Sequence, residues 1–205
     1  LPLSGAGRGH RGGAGPADRG PARAAGRPVA LDLDGPEGKV HAATGLPFLD
    51  HMLDQLGRHG GFDLTVEAQG DLHVDGHHTV EDVAIVAGEC FREALGDKAG
   101  IRRFASGAFP LDEALVEVAL DLSGRPFTAI DLPFGEVLPL GDPPFNPEMA
   151  EHFWQSFATA AAITLHVTLR AGRNTHHIVE ATFKGVARCL RDAVRVEGGS
   201  VPSTK

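Results

Sequence analysis

Two near-identical pentads, His77-His78-Thr79-Val80-Glu81 and His176-His177-Ile178-Val179-Glu180, stand 99 residues apart and constrain the fold more than any other feature of the chain. The same shift lays Cys90 on Cys189, Phe91 on Leu190 and Ala94 on Ala193, so the match runs on into an apolar stripe. That is the mark of an internal duplication. In an α-helix the first His and the Glu of each pentad are i and i+4 and share a face, where they can grip one ion. The second His points about a quarter-turn away, free to serve another ion.

A further histidine precedes each pentad at a matching distance: His51 lies 26 residues before His77, and His152 lies 24 before His176. Each half therefore offers three imidazoles and one carboxylate. Symmetry predicts one ion on His51, His77, Glu81 and His177, and a second on His152, His176, Glu180 and His78. Three nitrogens and one carboxylate leave coordination positions open for water and substrate, as catalysis needs. Such ligands suit Mn, Fe, Co, Ni or Zn without choosing among them. A carboxylate-bridged di-iron bundle wants Glu-x-x-His on long helices, and a metzincin wants HExxH; the order here is His-x-x-Glu, with strands between the motifs.

The patterning between the motifs predicts a mixed chain. Val29, Leu31 and Leu33 alternate with polar neighbours, the run Asp34 to Gly38 signals a turn, and Lys39 to Ala43 continues extended, which predicts a hairpin. Phe48, Leu49, Met52, Leu53 and Leu56 carry helical periodicity up to Gly60-Gly61, and Phe62, Leu64 and Val66 alternate as a strand. The first pentad opens a helix that Gly96 stops. In the second half, Glu113 to Leu122 and Pro126 to Leu132 read as strands about the turn Ser123-Gly124-Arg125. A helix over Glu148 to Ala162, a strand from Ile163 and a pentad helix to about Val194 follow. Both halves thus read strand, strand, helix, strand, helix, with residues 99–110 a strand joining them. The predicted organisation is a tail over 1–27, a first half-repeat over 28–98 and a second over 99–205. The tail holds five arginines, one acidic residue and many Gly, Ala and Pro without apolar periodicity, so it is expected to stay outside the core.

Composition excludes several function classes. A net charge of -8 and no basic stripe interleaved with aromatics argue against nucleic acid as a partner. No apolar run reaches the roughly 18 residues that span a bilayer, so no membrane partner is expected. The two cysteines, Cys90 and Cys189, show no CxxC spacing and point to a reduced, cytoplasmic protein whose thiols are small buried hydrophobes. Arg103, Arg125, Lys184 and the terminal Ser203-Thr204-Lys205 offer donors near loop ends or the pentad helices and are candidate anion contacts.

Phe48-Leu49-Asp50-His51-Met52-Leu53, Gly76 to Asp82, Leu122-Ser123-Gly124-Arg125-Pro126, the second pentad and Pro202 to Lys205 together resemble the imidazoleglycerol-phosphate dehydratase family over residues 28–205. The resemblance implies an α/β fold, an α+β two-layer sandwich duplicated with left-handed crossovers. It also implies two Mn2+ ions per active site and a homo-oligomer of 24 subunits with sites shared between neighbours. His51, His77, His78, Glu81, His152, His176, His177 and Glu180 become metal ligands, with Glu81, Glu180, His78 and His177 at the reacting centre. Gln55, Arg103, Arg125, Lys184, Ser203 and Lys205 become contacts of a phosphorylated imidazole substrate. The implied reaction is dehydration to imidazole-acetol phosphate in histidine biosynthesis, with the ions stabilising a substrate imidazolate while a carboxylate acts as base. One departure stands out. The family's opening Arg-x-Thr-x-Glu-Thr strand, whose Glu reaches the active site, has no counterpart in residues 1–27. That leaves a second reading: a metal-binding assembly protein of the same fold with impaired turnover.

Overall fold

A computed structural model describes residues 22–23, 29–35, 38–135 and 137–198. Ser203 and Lys205 lie outside the described residues, as does most of the expected tail. In chain order the elements are β1 (Ala22–Arg23), β2 (Val29–Asp32), β3 (Val40–Ala43), α1 (Pro47–Gly60), β4 (Asp63–Glu67) and α2 (His77–Leu95). The second half supplies β5 (Phe104–Leu111), β6 (Ala114–Asp121), β7 (Phe127–Asp131), α3 (Glu148–Ala161), β8 (Thr164–Ala171) and α4 (Thr175–Ala193). Each half is therefore three strands, helix, strand, helix.

The two sheets repeat one topology, β1-β2-β4-β3 and β5-β6-β8-β7. Neither predicted strand pair closes as a hairpin. β4 inserts between β2 and β3, antiparallel to the first with Leu31 opposite Leu64 and parallel to the second. β8 does the same between β6 and β7. The reason is the helix: β3 runs into α1 and β7 into α3, and a parallel neighbour requires such a crossover, whereas a tight turn would have forced the antiparallel pair. The joining segment also differs from expectation. Residues 100–103 pair instead with the chain after α4, through an Ile101–Val196 bridge and Arg102 N–H donating to the Arg195 carbonyl, and the strand begins only at Phe104. Two residues of the expected tail, Ala22 and Arg23, form an edge strand on β2, where their backbones meet Leu31 and Ala30.

Packing follows the apolar stripes. α1 turns Phe48, Leu49, Met52, Leu53 and Leu56 inward and ends at Gly61, whose φ of 67° makes it a left-handed cap. Its first turn is tied back by Asp50, whose Oδ1 accepts from Thr44 N–H at 2.9 Å and Thr44 Oγ1 at 2.7 Å. In each half the two helices cover one sheet face, so each half is a two-layer α/β sandwich. The halves then join helix layer to helix layer, α1 against α4 and α2 against α3. At the centre Trp154 packs against Phe153, Phe157 and Phe183 with ring centroids 4.8 to 5.5 Å apart. Trp154 and Phe183 are both fully buried, and burial of each such side chain contributes roughly 2 kcal/mol or more. The pairing of helices across the halves is what sets the geometry of the histidines.

Candidate metal centre

Each pentad opens a helix, where a side-chain oxygen meets the first N–H groups: the N-cap Asn174 for α4, and for α2 Asp75, one residue before the N-cap Gly76. Asn174 Oδ1 accepts from the backbone N–H of His176 and His177 at 3.0 and 3.3 Å, and Asp75 Oδ1 accepts from His77 N–H at 2.8 Å. Satisfying these first-turn donors fixes where the imidazoles begin their helical spacing. The two acceptors occupy equivalent places in the duplication, since the shift that superposes the pentads carries position 75 onto 174. Sequence reading passed over both, although that shift was the signal for them.

Because α1 lies on α4 and α3 on α2, each upstream histidine meets the pentad of the opposite half. His51 joins His176 and Glu180, and His152 joins His77 and Glu81; within each triad the ligand atoms lie within 4.8 Å of one another. The ligand sets predicted from sequence are thereby corrected: His51 does not share a site with His77 and Glu81, nor His152 with His176 and Glu180. In the first centre Glu180 Oε2 stands 3.2 Å from His51 Nε2 and 2.9 Å from His176 Nε2, while Oε1 holds the Lys184 ammonium. Phe48 packs edge-on to His176 with centroids 5.1 Å apart and backs this face. In the second centre the rings of His77 and His152 meet edge to face at 4.3 Å, and His152 Nε2 is 3.5 Å from Glu81 Oε1.

His78 and His177 stand outside both triads. His78 Nδ1 pairs with Asp71 Oδ2 at 3.0 Å, and His177 Nδ1 pairs with Glu113 Oε2 at 2.7 Å. Each carboxylate fixes its ring through Nδ1, the support that metal-ligating histidines ordinarily receive. Asp71 and Glu113 were not legible in sequence, because nothing in their spacing relates them to the pentads. Asp71 holds its proton less tightly than an ordinary carboxylic acid, chiefly through the bond from His78, which raises the His78 pKa in return. Glu113 is lowered to about 2 by the bond from His177, then by the N–H groups of Asn174 and Arg173. For Glu180 burial alone would raise the pKa, but the bonds from Lys184, His176 and His51 outweigh it and bring the value to about 2. Both carboxylates are thus ionised at neutral pH.

The residues fit a divalent ion. The Nε2 atoms of His77 and His152 are buried without a hydrogen-bond partner among the described residues, a costly state for an imidazole that a metal would relieve. Two imidazoles and a carboxylate per centre make a donor set suited to first-row divalent metals. Of the expected substrate contacts, Gln55 and Lys184 lie on the helices that build the first centre; Gln55 donates to Asp54 at 3.4 Å. Arg103 pairs with Asp121 at 2.6 Å, and Arg125 is exposed in the turn after β6. Lys98 adds a cation there that sequence reading did not single out: its pKa is lowered first by burial and then by Arg103.

Comparison with known proteins agrees with this architecture. The family model described as imidazoleglycerol-phosphate dehydratase matches residues 44–190. The Acidothermus cellulolyticus protein named imidazoleglycerol-phosphate dehydratase is 57% identical over 178 residues, covering 86% of this chain and 84% of its own. A Methanothermobacter thermautotrophicus protein of the same name is 55% identical over 177 residues, with 86% and 89% covered. The crystal structure of imidazoleglycerol-phosphate dehydratase from Staphylococcus aureus superposes with a TM-score of 0.73 at 36% identity, covering 80% of this chain and 91% of that one. With the family's model matching well over half the chain and relatives above 50% identity along most of it, this chain belongs to the imidazoleglycerol-phosphate dehydratase family.

Proposed function

We propose that the protein dehydrates imidazoleglycerol phosphate to imidazole-acetol phosphate as a hydro-lyase of histidine biosynthesis, using two Mn2+ ions per active site. The observation that carries this reading is the pair of His₂Glu triads, one around each pentad and each completed by a histidine of the opposite half, built by one chain and placed on matching helices. His51, His176 and Glu180 would hold one ion, and His77, His152 and Glu81 the other. Bound there, the ions would supply Lewis-acid polarisation of a substrate imidazole. His78 and His177, turned away from both triads, suit a homo-oligomer in which neighbouring copies complete each other's sites, with 24 subunits as the family resemblance implies. Glu81, Glu180, His78 and His177 stand at the reacting centre, and one carboxylate acts as the base that removes the proton from the neighbouring carbon. Gln55 and Lys184, with Arg103, Arg125, Ser203 and Lys205, would hold the phosphate. No described helix is long and apolar enough to cross a membrane, in keeping with a cytoplasmic enzyme.

Bound metal per chain and dehydration of imidazoleglycerol phosphate, measured on one preparation, test the reading. About two ions with turnover supports it, and absence of tightly bound metal overturns it. A second reading is favoured by one observation: no Glu occurs before Glu37, where the family's opening strand carries its acid–base Glu. Two ions without turnover would select that reading, a metal-binding assembly protein of impaired activity.

A further inference from the structure

The duplication repeats the ligands but not their surroundings. Along α4 the residues at four-residue spacing are His176, Glu180, Lys184 and Arg188; along α2 the equivalent positions are His77, Glu81, Ile85 and Glu89. One turn past the ligand carboxylate, the first centre has a cation where the second has an aliphatic side chain. Two turns past it, Arg188 is replaced by Glu89, a reversal of charge. The upstream helices differ in the same sense. Arg58 and His59 of α1 correspond to Thr159 and Ala160 of α3 when His51 is laid on His152. Lys184 and Arg188 stand close enough to His59 to lower its pKa, after burial, the main cause.

The consequence is visible at the carboxylates. Glu180 is committed: one oxygen holds Lys184 and the other both imidazoles, and its side chain is only 12% exposed. Glu81 is 40% exposed and borders a cavity of about 400 Å³ with Ile85, Glu89, His152, Gln155 and Ser156. Beside it, the Nε2 atoms of His77 and His152 make no hydrogen bond among the described residues, and His152 Nε2 approaches Glu81 Oε1 only at 3.5 Å. A cation entering the first centre meets a fixed ammonium already seated on its carboxylate, whereas one entering the second meets a ligand set held by one long contact, with a further Glu nearby.

We infer that the two centres, alike in ligands, are unequal in affinity: the His77–Glu81–His152 centre takes up a divalent cation first and more tightly, and Lys184 holds the His51–His176–Glu180 centre weak. This rests on the metal reading proposed above. The test is titration of Mn2+ into the metal-stripped full chain, with free ion followed by electron paramagnetic resonance and heat by calorimetry. Two classes of one ion per chain are expected, with His152→Ala removing the tighter and His51→Ala the weaker. Lys184→Met should tighten the weaker class by about tenfold, the size of a solvent-screened repulsion between an ammonium and a divalent ion a few Å apart. Lys184→Arg, which keeps the charge, should leave it unchanged. Two equal classes in the unaltered protein would overturn the inference while leaving the metal reading intact. A Lys184→Met protein whose weaker class weakens further would show that Lys184 merely props Glu180, and would likewise overturn it. Failure to bind Mn2+ stoichiometrically would overturn both.

Discussion

Gly88 offers a direct test of whether helix packing sets the metal geometry. It is buried on α2 where that helix crosses α3, and a Cβ there would stand 2.5 Å from the Phe157 carbonyl oxygen, 2.9 Å from Ala160 Cβ and 3.0 Å from Ala161 N, against 3.4 Å or more for ordinary contact. All three neighbours are backbone or the first atom of a side chain, so none can rotate away. In Gly88→Ala the helices must part by several tenths of an ångström. Overpacking of this kind costs about 1–3 kcal/mol, and the better helix propensity of Ala returns up to about 1 kcal/mol. A net destabilisation of about 1–2 kcal/mol is expected, read as a lower urea midpoint of the metal-free protein. The displacement matters for function because α2 supplies His77 and Glu81 while α3 supplies His152. Metal–ligand distances tolerate only about 0.2 Å, so Mn2+ affinity at that centre should fall by about tenfold, or about 1.4 kcal/mol. The other centre spans α1 and α4, where the position equivalent to Gly88 is the fully buried Ala187, and it should be unaffected. Unchanged or increased stability together with unchanged Mn2+ binding would refute the reasoning, since helix propensity alone would then account for the result.

Further outcomes follow from groups outside the centres. Cys90 and Cys189 are both buried, their thiols directed at the carbonyls of Val29 and Val118, so a thiol reagent at pH 8 should find none in the native protein and both after denaturation. Burial, and secondarily Asp192, pushes the Cys189 thiol up to about 12 from 9.0. The folded state therefore favours the neutral thiol, and its contribution is full below about pH 9 and lost as pH rises toward 12. Cys189→Ala should move the alkaline unfolding midpoint upward, and rapid native labelling would contradict the placement. Asp50→Ala strands the N–H of Thr44, which is 1% exposed, and leaves its hydroxyl only the Leu46 carbonyl at 3.5 Å as acceptor. A loss of about 1–3 kcal/mol is expected in urea denaturation. Asp50→Asn, which keeps an acceptor, should lose less, and full stability in Asp50→Ala would show that the contact contributes nothing.

How much of this was legible varies by element. The four helices could be read directly, because a 3.6-residue apolar period such as that of Phe48, Leu49, Met52 and Leu53 reports a face that only a helix can bury. The duplication and the six residues that cluster as candidate ligands were legible for a related reason: residue types that bind metal, repeated at one shift, are visible in one dimension. Strand partners were not. Alternation in Val29, Leu31 and Val40 shows which face is buried but says nothing about which neighbour supplies the hydrogen bonds, and β4 came between β2 and β3 because α1 carries the chain across the sheet.

The pentads mark the same limit. By itself the sequence determined that each pentad would place a His and a Glu on one helix face, since i and i+4 geometry is a local property of the backbone. It also determined that two such pairs exist, with one spare histidine each. Only the tertiary structure decided which upstream histidine completes which pair. α1 packs on α4 and α2 on α3, so His51 serves Glu180 and His152 serves Glu81, a crossing between halves that no spacing within either half contains. The physical reason is that helix-to-helix contact depends on apolar surface shape summed over both halves, whereas spacing in the chain encodes only the face each helix presents.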